Sequence, residues 1–211
     1  MSIIDQLEQE LNWRESELGS LKLILNSTNT SEQQQRVLLR AAWALLYAHY
    51  EGFAKFCLTL FYDHLQRSDI NCDSLPRATQ VFALSKPLEQ IRNKAPDEML
   101  SRIQTFQDDH MVCAPDFPDV DTKSNLWPSI LSELLHTADI DNSIINKHEA
   151  KIKTLVSRRN EIAHGERNFI KKISYYNSFE YVVYEVMYDL TLAIDEKLCN
   201  YRPYRCLTPG P

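Results

Sequence analysis
The chain has 211 residues, 44% apolar and 25% charged, with a formal net charge of −6, which suits one sizeable folded core. Only four glycines occur (Gly19, Gly52, Gly165 and Gly210), excluding a glycine-rich phosphate loop and most turn-rich β folds. No apolar run approaches a membrane span, and the acidic start MSIIDQLEQE is unlike a secretory signal.

Every periodic stretch reads as helix. Residues 3–25 carry Ile3, Leu7, Leu11, Leu18, Leu21 and Leu25 at mostly helical intervals. The polar run NSTNTS breaks this pattern, and Ser31 with Gln34 forms a capping-box start for a long helix ending near Arg67. Its expected apolar positions are Val37, Leu38, Ala41, Ala44, Leu45, Ala48, Phe53, Phe56 and Leu60. Residues 68–121 hold five of the nine prolines and predict an irregular insertion of short helices and loops, the best helix spanning 96–109. Further helices are expected over 129–137 and 143–164, the latter stopped by Gly165. The last covers 175–200 and is apolar on two sides, one stripe being Tyr181, Tyr184 and Tyr188, the other Phe179, Val183, Val186 and Leu190. Such a helix either sits in the core or meets a second subunit. Residues 201–211 form a proline-rich tail expected to be flexible. The prediction is an all-α fold, with residues 1–200 as one domain.

Charge is unevenly spread. Residues 147–172 hold eight Lys/Arg (Lys147, Lys151, Lys153, Arg158, Arg159, Arg167, Lys171 and Lys172) against three acids, a local +5 that leaves −11 for the remainder. A basic patch on an acidic body suits local phosphate contact, with Lys151, Lys153 and Arg167 as candidate RNA contacts; taken alone, it equally fits a solvated helix face.

Within that patch, RRNEIAHGE (158–166) sets an arginine, an amide and a histidine on the last turns of a helix. Asn160 and His164 are four residues apart and share a face, flanked by Arg159. Cleaving RNA without a metal requires a base for the 2′-hydroxyl proton, an acid for the leaving 5′-oxygen and a cation for the phosphorane. An imidazole that can titrate near neutrality serves for proton transfer, which assigns that role to His164. Arg159, a five-donor fork, is the candidate phosphate clamp, and Asn160 can hold phosphate or fix the imidazole tautomer. Spacing alone is weak evidence, and the plainer reading is a capping histidine beside salt-bridged arginines.

The nine-residue string resembles the signature of the HEPN superfamily (higher eukaryote and prokaryote nucleotide-binding). WALLYAHYEGFAKF (43–56) is similar to the early long helix of a HEPN branch found in restriction-type and toxin–antitoxin loci, and KSNLWPSI (123–130) to the segment before its signature helix. The likeness spans roughly residues 35–195. It implies an up-and-down bundle of four to five core helices, elaborated by the central insertion. It also implies a homodimer in which two signature helices face each other, the partner supplying the second histidine. The activity implied is a metal-independent endoribonuclease of defence or toxin systems that leaves a 2′,3′-cyclic phosphate. Some members bind RNA or nucleotide, or scaffold a complex, without cutting; a third alternative is a structural dimer, antitoxin or adaptor using Tyr184. In HEPN toxins silenced by nucleotidyltransferases, a tyrosine follows the signature histidine by two residues. Glu166 stands there in this chain, so control by adenylylation at that site is not expected; the alternatives are no antitoxin, an antitoxin acting by contact, or membership of a larger defence system.

Glu51 falls on a mostly apolar stripe, after Ala44, Tyr47 and Ala48 by seven, four and three residues. A carboxylate there needs a partner. It either pairs with Arg158, Arg159 or Lys55 to pin two helices, or orients Arg159 or His164 as some early-helix acids do in the resembling family. His49 with Glu51, and Asp63 with His64, lack converging third and fourth ligands, so neither a metal nor a cofactor is expected. Five cysteines without a Cys-x-x-Cys pair point to a reducing cytoplasm, with neither a disulfide framework nor a zinc site.

Overall fold
A computed structural model describes residues 2–27, 31–167, 172–199 and 201. Among these every regular element is helical: α1 (Ile3–Leu25), α2 (Glu32–Arg67), α3 (Arg77–Ala83), α4 (Ser85–Arg92), α5 (Pro96–Phe106), α6 (Pro128–Thr137), α7 (Ser143–Asn146), α8 (Glu149–Ala163) and α9 (Ile173–Cys199). The all-α class is as expected. The tail beyond Tyr201 lies outside the described residues.

Local chemistry sets the helix starts. Ser31 Oγ accepts from the Gln34 N–H, and the Gln34 side chain accepts from the Ser31 N–H, closing the anticipated capping box. Ser2 and Asp5 do the same for α1. Pro96 and Pro128 occupy first-turn positions of α5 and α6, where a missing N–H costs nothing. The insertion consists of short helices, as expected, and neither α4 nor α5 has a buried residue.

The long helix α2 occupies the centre, packed on α1, α8 and α9, which also meet one another at α1–α9 and α8–α9. At one end α6 joins α3, α7 and α8. A continuous apolar cluster runs from Leu7 to Leu198. The α1 stripe is as the periodicity indicated, with Leu7, Leu11, Leu18 and Leu25 buried.

On α2 the buried face is rotated from the expected one. Of the nine anticipated apolar positions only Phe53 is fully buried, whereas Leu39, Ala42, Trp43, Leu46, Tyr47, His49, Tyr50, Ala54, Cys57, Leu58, Phe61, Tyr62 and Leu65 are. A helix enclosed by three neighbours buries its aromatic and polar residues too, so a single aliphatic stripe underestimates its core. The two-sided α9 is resolved similarly: Phe179, Val183, Val186 and Leu190 enter the core, while Tyr181 and Tyr188 remain exposed and Tyr184 is half-buried. The Tyr188 hydroxyl donates to Glu15 of α1.

The expected helix over 143–164 is broken in two. At the break, His148 turns inward and its Nε2 lies 3.2 Å from Glu185 of α9. Cys57, Cys72 and Cys113 are free thiols, but Cys199 is disulfide-bonded, whereas the sequence pointed to a reducing cytoplasm without a disulfide framework.

Burying α2 takes polar groups out of water; among the described residues the Tyr50 hydroxyl has no hydrogen-bond partner, whereas His49 is paired. Arg14 of α1 donates to His49 Nδ1 at 3.2 Å and to Glu10 at 2.9 Å, and His49 Nε2 lies 2.9 Å from Glu17. Since guanidinium only donates, Nδ1 is the acceptor and the proton sits on Nε2. Burial first, and then the Arg14 charge, hold the His49 pKa below its usual value, with Glu17 opposing. Burial shifts His64 and His148 the same way. For a histidine depressed on folding, the stabilisation is complete above the unfolded value near ~6.5 and is lost as pH falls. The thermal unfolding midpoint is therefore expected to drop from about pH 6.5 downward, with His49→Gln showing a shallower dependence; a midpoint constant to about pH 5 would contradict this.

Candidate functional site
The last turns of α8 carry the arginine–asparagine–histidine set. The side chain of Arg158 extends over two rings, 5.6 Å from the Trp43 centroid and 5.1 Å from that of Tyr175, which joins α8 to α2 and α9. Arg159 takes a different direction. Its guanidinium lies 4.4 Å from the Tyr47 centroid, and one terminal nitrogen donates to Asn125 Oδ1 at 2.7 Å and to Asn160 Oδ1 at 3.0 Å. Both terminal hydrogens on that nitrogen are thereby used, leaving three further N–H donors for an anion.

The loop that supplies Asn125 is itself constrained. Lys123 (φ 50°) and Ser124 (φ 69°) are consecutive non-glycine residues in the left-handed region, each at a cost of about 1–2 kcal/mol. Their conformation is held by the Lys123 N–H donating to Asp121 Oδ1 at 2.8 Å and the Asn125 N–H donating to the Thr122 carbonyl at 3.2 Å. Buried Leu126 donates its N–H to the Tyr47 hydroxyl at 2.9 Å. Tyr47 thus faces Arg159 with its ring and the loop with its oxygen.

Burial pushes the Tyr47 pKa up to about 12, and the Glu51 charge with its hydrogen bond adds to this, while the Leu126 N–H and Arg159 pull it down. The phenol therefore stays protonated near neutrality, beside the Glu51 carboxylate. Among the described residues Glu51 makes no ion pair within 4 Å, so the expected pairing with Arg158, Arg159 or Lys55 is not formed. Its charge acts on the Tyr47 phenol, whose ring faces Arg159.

His164 is the exposed C-cap of α8; its N–H donates to the Asn160 carbonyl at 2.9 Å. Gly165 follows at φ 76°, with its N–H on the Ile162 carbonyl (3.1 Å) and the Glu166 N–H on the Glu161 carbonyl (2.9 Å), which makes a Schellman turn. A Cβ at Gly165 would meet nothing within 4 Å, so the glycine is required by backbone conformation and not by space. Arg40 of α2 donates to the Glu166 carbonyl at 2.7 Å and ties this turn to the central helix. Among the described residues the His164 ring makes no hydrogen bond or ion pair with Arg159 or Asn160; it is joined to them along the helix.

The remaining basic candidates separate. Lys151 donates to the Ser178 carbonyl at 3.1 Å and lies 5.9 Å from the Phe179 centroid, an anchor to α9. Lys153 and Arg167 are exposed. No group of three or more His, Cys, Asp or Glu among the described residues is arranged to hold a metal ion. None of their helices is long and apolar enough to cross a membrane.

Over residues 3–204 the chain matches the family described as MAE_28990-like HEPN. It belongs to that HEPN family. No curated protein and no solved structure matches it. Membership and the all-α architecture agree with the resemblance drawn from RRNEIAHGE, and two residues of this HEPN protein that the sequence reading did not single out, Tyr47 and Asn125, lie in the two supporting strings. The spacing of Tyr47 and Glu51, four apart on one helix, was an available sign of the phenol–carboxylate pair. No sequence periodicity indicates that the Asn125 loop folds back onto α8.

Tyr47→Phe removes the acceptor of a buried N–H and is expected to cost about 1–3 kcal/mol in urea unfolding. Gly165→Ala forces a Cβ into the left-handed region and is expected to cost about 1–2 kcal/mol in the same measurement.

Proposed function
We propose that this HEPN protein is a metal-independent endoribonuclease in which Arg159 and His164 are catalytic and Asn160 assists. The observation carrying the reading is the Arg159 guanidinium. It is fixed by two amide oxygens and an aromatic face, keeps donors uncommitted, and sits at the helix end that also presents an exposed histidine. Family membership supports a nucleotide- or RNA-directed module.

In this mechanism a base takes the 2′-hydroxyl proton, and the 2′-oxygen attacks the adjacent phosphorus. Arg159 offsets charge on the non-bridging oxygens, and an imidazolium gives its proton to the departing 5′-oxygen. The products are a 2′,3′-cyclic phosphate and a 5′-hydroxyl. One chain offers a single signature histidine, so the acid and base come from the two copies of a homodimer, with signature helices facing one cleft. A defence or toxin role follows the resemblance, and a contact partner would restrain the activity.

The second reading is a HEPN module that binds RNA or nucleotide without cutting. It is favoured by the hydrogen bonds Arg159 already makes to Asn125 and Asn160, which leave it a partial clamp. The test is cleavage of total RNA in EDTA by wild type and by His164→Ala. Wild type is expected to generate cyclic phosphate ends, and the variant to lose about 10²–10⁴ in rate with its helical content unchanged. Equal cleavage by both sinks the nuclease assignment. Binding lost in Arg159→Ala, without scission by wild type, establishes the binding module.

A further inference from the structure
The loop that braces Arg159 also forms one wall of a groove. Two residues beyond Asn125, Trp127 lines an open depression of about 430 Å³ with Ala150, Lys153, Thr154, Ser157, Arg158 and Glu161, all on α8. That volume falls in the ~300–1,000 Å³ range of small-ligand sites. The α8 residues recur every three or four positions along one face, and small side chains (Ala150, Thr154, Ser157) leave the depression open opposite the indole. From Lys153 to Glu161 the groove follows the helix for about 12 Å toward the signature.

The Trp127 backbone is well fixed, and its half-buried indole packs against the core. Its main-chain N–H donates to the Asn125 carbonyl at 2.9 Å, its backbone caps α6 at φ −65°, and Pro128 follows in the first helical turn. Holding an aromatic plane in place before binding lowers the entropy lost when a second plane stacks on it. Lys153 is an exposed cation on the same groove, and the α8 wall of the groove lies within the strongly positive segment 147–172.

We propose that this groove is a nucleotide subsite: Trp127 stacks on one base of single-stranded RNA, and Lys153 meets an adjacent phosphate. The combination of a half-buried ring on a constrained backbone, a floor of small residues and a flanking cation suits a planar base joined to an anion, and stacking accepts any base because each has a π-face. Asn125 and Trp127 share one strained loop, so seating the base and bracing Arg159 are mechanically linked. The subsite rests on the RNA-directed reading given above.

The experiment measures affinity for a short mixed-sequence oligoribonucleotide with 2′-O-methyl riboses, which blocks 2′-hydroxyl attack and separates binding from cleavage. Trp127→Ala is expected to weaken binding by about 5–150-fold, the equivalent of ~1–3 kcal/mol of stacking per base. Trp127→Phe should stay within a few-fold of wild type, and Lys153→Ala should lower the dependence of log affinity on log salt by about 0.7. Ser157→Tyr fills the groove from the helix surface without altering the indole, and should reproduce the Trp127→Ala loss if that variant proves unstable. Wild-type binding with Trp127→Ala and Ser157→Tyr unaffected overturns the subsite and leaves the RNA reading standing. No binding by wild type overturns both. A change of oligomeric state in sedimentation, without a change in RNA affinity, overturns the subsite by showing that a second copy covers the groove.

Discussion
The indole of Trp43 is the joint on which the described helices depend. Fully buried on α2, it donates its N–H to the Leu155 carbonyl of α8 at 3.0 Å. It also meets Phe179 of α9 at 4.6 Å between centroids and stacks with Tyr175 at 5.9 Å. One side chain therefore sets the relative position of three helices, combining large apolar burial with a directional hydrogen bond. The i−4 carbonyl of a helix is normally committed internally, but a carbonyl has two lone pairs, so α8 accepts this bond without losing its ladder.

Fixing α8 against α2 decides where its two arginines go. Successive residues on a helix are separated by about 100°, so Arg158 is turned toward Trp43 and Tyr175 while Arg159 is turned toward Tyr47. In both cases the planar cation meets an aromatic face, an attraction worth roughly 0.5–2 kcal/mol that leaves the charge intact. A carboxylate in the same place would neutralise the guanidinium. Glu51 is the acid closest in role to such a partner, yet it makes no ion pair with Arg159 among the described residues and its charge falls on the Tyr47 phenol. The phenol feels both charges, the carboxylate raising its pKa and the guanidinium lowering it.

A second cluster, on the opposite partner of α2, shows the same economy of buried charge. Arg14 and His49 lie between α1 and α2 with Glu10 and Glu17 around them, and Lys22 pairs with the buried carboxylate of Glu180 on α9. Arg14, His49 and Glu180 each have a donor or acceptor at hand, because an unpaired charge would cost several kcal/mol. The packing that encloses α2 and the electrostatics that prepare α8 are thus solved together, with aromatic rings and short polar chains filling positions where aliphatic residues would have sufficed for burial alone.

The sequence by itself determined the helical class, the helix starts at Ser31 and Pro96, the stop at Gly165, and the family through the nine residues from Arg158 to Glu166. These are local properties: capping, proline geometry, left-handed backbone and short motifs depend on neighbours within one or two turns. It misplaced the core face of α2, because Trp43, Tyr47, His49 and Tyr50 become interior only when three helices surround them. It joined 143–146 to 149–163 as one helix, because the turn of His148 onto Glu185 depends on α9. Only the tertiary structure decided that Asn125, 34 residues before Arg159, would brace that arginine. It also decided that Tyr47 would bridge the loop, the acid and the guanidinium, and that Trp127 would face α8 across a groove. The physical reason is the same each time: these contacts join segments distant in sequence, and no periodicity or local propensity records where a folded loop returns.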